Sequence, residues 1–99
     1  MNLIFEWDKK KALANLQKHK ISFEEAKTLF GDPLLVTYPD EFHSVTEERL
    51  ISIGVSARSR ILLVVHTARA ETQDTLTIRL ISCRKATPSE RRIYEESHE

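Results

Sequence analysis

Apolar positions recur at helical spacing in two stretches near the N-terminus. Residues 9–20 have a helix-forming composition after Asp8, which suits the N-cap, and their apolar stripe consists of Ala12, Leu13 and Leu16. A second helix is predicted to begin at Ser22, because its spacing to Glu25 matches a capping box. Glycine and proline within residues 31–33 end that helix, whose inward-facing residues are Phe23, Ala26, Leu29 and Phe30.

From residue 34 onward, the chain changes to the two-residue alternation of β-strands. Residues 34–38 are rich in β-formers, and residues 47–56 place four side chains on one face: Arg49, Ile51, Ile53 and Val55. Residues 61–67 are apolar on both faces, which predicts a central strand covered on both sides. In residues 76–84, one face carries Leu76, Ile78 and Leu80, and the other carries Thr77, Arg79, Ile81 and Cys83.

Two further elements complete this pattern. Thr87, Pro88 and Glu90 occupy the N-cap, N1 and N3 positions of a final helix that runs to about residue 96. Residues 3–7 are short and apolar, and they fit either an edge strand or a lid on the core. The order predicts an α+β fold in one domain spanning residues 1–99, with two N-terminal helices, a three- to four-stranded antiparallel sheet and a C-terminal helix packed on it.

Composition narrows the class of protein. The longest apolar run, residues 61–65, is too short to span a bilayer. The single cysteine, Cys83, cannot form an internal disulfide, so we expect a cytoplasmic, reduced protein without a membrane segment. Cysteine and histidine lack zinc-binding spacing and there is no glycine-rich phosphate loop, so neither a metal nor a nucleotide cofactor is expected.

Charge is unevenly distributed along a chain whose formal net charge is zero. Residues 1–48 hold six Lys/Arg and nine Asp/Glu, a net charge of −3, whereas residues 49–92 hold nine Lys/Arg and three Asp/Glu, a net charge of +6. This asymmetry fits a basic face that binds a polyanion. The alternative is that these cations only solvate exposed strand faces.

Three arginines are the leading candidates for binding an anion. Arg79 lies mid-strand between apolar residues, where a guanidinium is costly without a partner or a cleft. Arg84 lies at the end of the same strand, and Arg49 lies on the strand predicted to neighbour it. Planar, bidentate guanidinium groups on adjacent strands suit a phosphate cradle. The alternative is that each arginine pairs with a carboxylate such as Glu48 or Glu90.

Proton-transfer candidates accompany these cations. Lys18 and His19 end the first helix, where His19 is either a C-cap residue or a proton donor or acceptor. Cleaving RNA without a metal needs a base, an acid and cations for the phosphorane, which His19, Glu48, Lys18 and the arginines supply. Tyr94 either packs on the sheet or stacks on a base. The remaining predictions are a core or edge histidine at His66, and RNA contacts from Lys85 and Arg91.

Three segments carry a resemblance to a known family. FEWDKKKALANLQKHKISFEEA, EERLISIG and IRLISCRKATPSERRIYEE resemble the BrnT toxin family across nearly the whole chain. Cys83 stands where alanine is common in that pattern. The matching positions are Trp7, Asp8, Lys11, Asn15, Lys18, His19, Phe23, Ala26, Arg49, Gly54, Arg79, Ser82, Arg84, Ala86, Glu90, Arg91 and Tyr94.

The resemblance implies a RelE-like fold and a ribonuclease toxin of a bacterial type II toxin–antitoxin pair. It implies metal-independent RNA cleavage that inhibits translation and growth, and a BrnA-like ribbon-helix-helix antitoxin whose complex with the toxin binds operator DNA. The alternatives are a non-catalytic co-repressor of the same fold, or an unrelated α+β domain with a solvated basic face. The residues that the resemblance assigns to the catalytic site are Lys18, His19, Glu48, Arg49, Arg79 and Arg84, with Glu90 as a further candidate.

Overall fold

A computed structural model describes residues 1–42 and 48–98 of the chain. Its helices are α1 (Lys9–His19), α2 (Phe23–Lys27) and α3 (Pro88–Glu96), and a 3₁₀ turn (Thr28–Gly31) follows α2. Its strands are β1 (Asn2–Glu6), β2 (Val36–Pro39), β3 (Leu50–Val55), β4 (Ile61–Ala70) and β5 (Thr75–Lys85). Residue 47, where the sequence predicts the second of its strands to begin, lies outside the described residues.

The five strands form one mixed sheet in the order β1-β5-β4-β3-β2. β1 runs parallel to β5, and every other neighbouring pair is antiparallel. The expectation of three or four antiparallel strands, all following two helices, is therefore wrong in detail. The chain begins with an edge strand, and α1 and α2 carry it across the sheet before β2. The edge-strand interpretation of residues 3–7 is confirmed, but the parallel pairing of β1 with β5, about seventy residues later in sequence, follows from no local pattern.

Helices α1 and α2 and the 3₁₀ turn cover one side of the sheet, here called the helical face. The core on this side includes Ile21, Phe23, Ala26 and Leu29, all with no exposed surface. They pack against one side of β4 and β5, which confirms that residues 61–67 form a central strand. The prediction that Cys83 shares a face with Arg79 is wrong, because a β-bulge at Ile81 reverses the alternation. The sheet residues in this cluster are Leu62, Val64, Ile78, Leu80 and Cys83.

Helix α1 begins as predicted but turns a different stripe inward. The Asp8 side chain accepts hydrogen bonds from the backbone N–H groups of Lys10 and Lys11, at 2.7 and 3.2 Å. The inward position belongs to Asn15, whereas Leu13 and Leu16 are 62% and 44% exposed. We attribute the inward position of Asn15 to the edge of β5. Strand β1 pairs with β5 only as far as Arg79, so the backbone groups beyond Arg79 need other partners.

Asn15 supplies the hydrogen bonds that this strand edge needs. Its side-chain amide donates to the carbonyl oxygens of Ile21 and Cys83, at 3.0 and 2.9 Å, and its Oδ1 accepts from the Cys83 backbone N–H at 2.9 Å. A buried backbone group without a partner costs about 1–3 kcal/mol. Burying the asparagine is therefore favoured over burying another leucine.

The second helix is capped by Ser22, whose Oγ accepts from the Glu25 backbone N–H at 3.1 Å. The Glu25 carboxylate does not return to the cap as a complete capping box requires. It is buried and accepts from the Arg60 guanidinium, with Nε at 3.0 Å, and from the Ser56 hydroxyl at 2.7 Å. These contacts attach α2 to the turn between β3 and β4, so the predicted capping residue has a tertiary role.

Helix α3 packs on the opposite side of the sheet, here called the α3 face. Its predicted capping box is confirmed: the Thr87 hydroxyl accepts from the Glu90 backbone N–H at 3.3 Å, and the Thr87 backbone N–H donates to the Glu90 carboxylate at 2.8 Å. Tyr94 is buried against Ile53 and Leu63. Its hydroxyl donates to Asp32 at 2.6 Å, which joins α3 to the turn before β2.

The other part of the α3 face stays accessible and is here called the open half. Its half-exposed or exposed residues belong to three strands: Glu6, Thr67, Arg69, Arg79 and Ser82. In the part of the chain that the structure describes, no helix is both long and apolar enough to cross a membrane.

Candidate functional site

Strand register places two of the predicted arginines in one row of the open half. Arg79 of β5 lies opposite Thr67 of β4 and, on its other side, opposite Glu6 of β1. Leu50 lies opposite His66, so Arg49, one residue earlier, faces Thr67 from the other side. The Asp40 backbone N–H donates to the Arg49 carbonyl at 2.8 Å, which keeps Arg49 in line with the sheet. We call Arg49 and Arg79, with Thr67 between them, the arginine row.

The dimensions of this row suit a phosphate group. The prediction that Arg49 and Arg79 belong to neighbouring strands is wrong. Arg49 directly precedes β3, Arg79 belongs to β5, and β4 lies between these two strands. Adjacent strands are about 4.8 Å apart, so the two Cα atoms are separated by about 10 Å. Side chains directly opposite one another project from the same face of a sheet. The side chains of Arg49 and Arg79 therefore leave the sheet on the same face, one on each side of Thr67.

Arg79 keeps much of its hydrogen-bonding capacity. Its Nη1 lies 3.7 Å from Glu6 Oε1, and the two side chains are 43% and 40% exposed. An exposed ion pair of this kind contributes only about 0–1 kcal/mol. An anion that binds the guanidinium bidentately can therefore compete with Glu6.

The third arginine, Arg84, has a different environment. It lies five residues beyond Arg79, which is about 16 Å along a strand. Its Nη1 and Nη2 donate to the two carboxylate oxygens of Glu90, at 2.7 and 2.9 Å. The hydrogen bond from Arg84 lowers the pKa of Glu90 to about 2. The predicted three-arginine cradle is thus divided, and Arg84 makes the carboxylate pair considered as its alternative.

Tyr38 is a further candidate residue that the sequence did not reveal. It lies opposite Ile51 in the register of β2 and β3, on the same face as the arginine row. Burial, followed by the negative charge of Glu90, raises the pKa of its phenol. It therefore brings a flat ring and a hydroxyl group close to the Arg84–Glu90 pair. The sequence indicates that Tyr38 and Val36 lie on the same face of a strand. The position of that face in the sheet follows only from the pairing of β2 with β3.

Lys18 and His19 lie at the outer edge of β5. Together with Lys11 they line a shallow groove between α1 and residues Ile81 and Ser82, here called the edge groove. Ile81 is the additional residue of a β-bulge, because Val65 pairs with Ser82 and His66 pairs with Leu80. Ser82 shares the α3 face with Arg79 and also borders the edge groove. The end of α1 therefore adjoins the open half of the sheet.

Glu48 lies on the other side of the arginine row from His19. It is exposed and directly precedes Arg49, whereas His19 lies beyond β5. The structure does not bring these two proton-transfer candidates into contact. Across the strands, the backbone of Glu48 lies on the β3 side of Thr67, and His19 lies at the outer edge of β5.

The remaining predicted residues lie elsewhere. Tyr94 packs in the core, only 8% exposed, where no base could stack on it. Lys85 and Arg91 line a separate groove beyond the end of the sheet. His66 is a core histidine as predicted: its Nε2 lies 2.7 Å from the Ser52 hydroxyl, and burial lowers its pKa.

Neither the thiol nor the acidic residues suggest a different chemistry. Burial raises the pKa of the Cys83 thiol to about 12, so it is not an activated nucleophile. Among residues 1–42 and 48–98, no group of three or more His, Cys, Asp or Glu is arranged to hold a metal ion.

Comparisons with known proteins bear on the family and the fold. Residues 7–90 match the family model described as "Ribonuclease toxin, BrnT, of type II toxin-antitoxin system". Among the solved structures, the chain is similar to the 1.1 Angstrom-resolution crystal structure of the Brucella abortus ribonuclease toxin, BrnT, with a TM-score of 0.62 and 21% identity over 88% of this chain and 99% of that chain. That likeness supports the fold. The comparison with curated protein sequences gave no match.

Proposed function

The chain belongs to the family of BrnT ribonuclease toxins of type II toxin–antitoxin systems, and we propose that it is an endoribonuclease that cleaves RNA without a metal ion. The observation that carries this proposal is the arginine row on the open half of the α3 face. Two guanidinium groups flank a position that a phosphodiester can reach, with proton-transfer candidates on both sides. Cleavage of RNA by this surface would inhibit translation and growth.

The arginine row binds the scissile phosphate and stabilises the charge that develops on it. Attack on phosphorus adds negative charge to the non-bridging oxygens, and fixed donors aimed at those oxygens lower the barrier. Arg49 and Arg79 provide planar, bidentate donors from opposite sides of Thr67. Arg84 and Glu90 form the wall nearest Tyr38, whose ring offers a stacking surface for an adjacent base.

Proton transfer takes place on the two sides of the row. The attacking and leaving oxygens lie on opposite sides of phosphorus, so the base and the acid must also be apart. The exposed Glu48 carboxylate takes the proton of the 2′-hydroxyl, whose oxygen bonds to phosphorus. His19 gives a proton to the departing 5′-oxygen, and Lys18 adds positive charge beside it. The products are a 2′,3′-cyclic phosphate and a free 5′-hydroxyl.

The proposal includes the partner that a type II system requires. We infer that a BrnA-like antitoxin with a ribbon-helix-helix part binds this chain in the cytoplasm, and that their complex binds operator DNA. Family membership supports an antitoxin partner. The accessible arginine row offers an acidic antitoxin segment a place to block the RNA.

Cleavage of a defined RNA by the partner-free protein in excess EDTA tests this function. The control is an Arg49→Ala, Arg79→Ala variant purified identically, which reports any contaminating ribonuclease. We expect products with 2′,3′-cyclic phosphate ends from the unsubstituted protein only. Equal cleavage by the control would contradict the proposal. A folded protein that cleaves nothing, on free RNA or on ribosomes, would support the co-repressor alternative.

A further inference from the structure

A second basic groove lies beyond the end of the sheet, between the β3–β4 turn and the first turn of α3. We call it the hairpin groove. Its floor is apolar and its rim is cationic, and it encloses about 460 Å³. The floor consists of Val55, Ile61 and Ala86, and the rim includes Arg60, Lys85 and Arg91.

The charge of the hairpin groove is positive and only partly balanced. None of the described residues that line it is acidic. Glu25, buried behind Arg60, is engaged with that guanidinium. Lys85 and Arg91 are exposed at the rim, and Arg58 lies exposed on the same turn. Glu90 is engaged with Arg84, so it does not neutralise the groove from the α3 side.

The combination of floor and rim indicates the kind of ligand. A groove that binds single-stranded nucleic acid follows the phosphate backbone with cations and stacks the bases on aromatic rings. Lys85 and Arg91 provide exposed cations here, beside the half-buried side chains of Val55 and Ile61. Because none of the described lining residues is aromatic, the groove fits phosphate groups and not stacked bases.

The position of the groove relates it to the arginine row. Arg79 and Lys85 belong to the same strand and are six residues apart, which corresponds to about 20 Å. Because of the bulge at Ile81, Lys85 lies opposite Leu62 on the helical face, so the groove reaches around the end of the sheet. The first turn of α3, held by the Arg84–Glu90 pair, lies between them. An RNA that occupies both places must pass this turn, and a dinucleotide is too short to do so.

We propose that the hairpin groove is a second phosphate-binding subsite for single-stranded RNA, which holds the part of the substrate that extends past the cleavage position. This inference rests on the proposed function, because it assigns a longer substrate path to the same enzyme. The subsite favours long single strands over short ones and contributes contacts that depend on salt.

Salt-titrated RNA binding tests the subsite separately from catalysis. All proteins carry Arg79→Ala so that the RNA stays intact. The probes are labelled single strands of about four and about 16 nucleotides, the range of site sizes known for single-strand binding folds. The groove variant carries Lys85→Gln and Arg91→Gln. Its control carries Lys20→Gln and Lys27→Gln, which removes the same charge from exposed residues on the helical side.

A plot of log affinity against log salt has a negative slope, at about 0.7 for each phosphate contact in a single strand. For the long RNA, we expect the groove variant to make this slope shallower by roughly 1.4. The control keeps the slope of the parent, and the short RNA shows a smaller change. Equal slopes for variant and control, or no RNA binding by the folded parent, would overturn the proposal. So would an unchanged RNA slope with lost antitoxin affinity, which would assign the groove to the protein partner.

The salt titration tests the subsite, and the cleavage assay tests the proposed function, so the two can fail separately. If wild-type protein cleaves RNA and the slope is unchanged, the nuclease function stands and the subsite is refuted. If it cleaves nothing but the slope falls as expected, the subsite stands and catalysis is refuted.

Discussion

Polar groups on the two faces of the sheet differ in exposure and in hydrogen-bond partners. On the helical face, the buried side chains of Ser52 and His66 have polar partners: the Ser52 hydroxyl lies 2.7 Å from both His66 Nε2 and the hydroxyl of the exposed Thr37. On the open half of the α3 face, Arg79 and its nearest carboxylate are 3.7 Å apart and more than a third exposed. Polar groups of the first kind stabilise the fold, whereas those of the second kind remain available to a ligand.

A single strand, β5, has buried residues on the helical face and accessible residues on the open half. Its Ile78, Leu80 and Cys83 are buried under the helices, whereas Arg79 and Ser82 face the open half. Substitutions on one side should therefore change stability, and substitutions on the other should change activity.

Truncating the helical face should have the largest effect on stability. Phe23 has no exposed surface and meets Trp7 edge-on, with ring centroids 5.9 Å apart. We expect Phe23→Ala to lower the free energy of unfolding by about 3–5 kcal/mol. The matched change is Ile4→Ala on β1, where the side chain is 49% exposed, and it should cost less than about 1 kcal/mol. Urea unfolding measures both, and similar losses would contradict the comparison.

A pH-dependent effect on stability should come from the Arg84–Glu90 pair, where α3 packs on the sheet. The folded-state pKa of Glu90 is about 2, below its usual 4.5, mainly because of Arg84. Its contribution is complete above the unfolded pKa and is lost as pH falls from about 5 towards 2. Solvent reaches the Arg84 side chain, 39% exposed, so we expect only about 1–3 kcal/mol.

Unfolding free energies measured between pH 6 and pH 2, in wild type and Glu90→Gln, check this expectation. The difference between the two proteins should shrink as pH falls. A difference that stays constant across this range would show that the Arg84–Glu90 pair does not stabilise the fold.

A smaller effect is expected where α3 is joined to the rest of the molecule. Tyr94→Phe removes the hydroxyl that donates to Asp32, while Asp32 keeps its bonds from the Val55 and Leu34 backbone N–H groups. We expect a loss of about 1 kcal/mol in thermal or urea unfolding. Tyr38→Phe is the control, and it should change stability by less than about 0.5 kcal/mol. Equal effects would argue against a specific role for the Tyr94–Asp32 bond.

The sequence predicted what depends on neighbours along the chain. The caps at Asp8, Ser22 and Thr87 lie where short-range side-chain spacing indicated them. The alternation that places Arg49 beside Ile51, and Arg79 opposite the apolar stripe of its strand, also follows from local pattern.

Pairings between distant segments could not be predicted in this way. Periodicity favoured Leu13 and Leu16 as inward residues, but the exposed edge of β5 selects Asn15. The location of Tyr38 depends on which strand β2 joins, and the choice of Glu90 as the partner of Arg84 depends on where α3 packs. The candidate site therefore came from the sequence as a set of residues, and its arrangement came from the fold.

The most direct test of the central claim is the RNA cleavage rate of Arg79→Ala in EDTA, measured beside Arg92→Ala, which removes an exposed arginine from α3. We expect the cleavage rate of Arg79→Ala to fall by at least about 100-fold, which is the effect of removing a donor to a transition-state oxyanion. Its unfolding free energy should stay within about 0.5 kcal/mol of wild type. A folded Arg79→Ala protein that cleaves as fast as Arg92→Ala would show that the arginine row is not the catalytic surface.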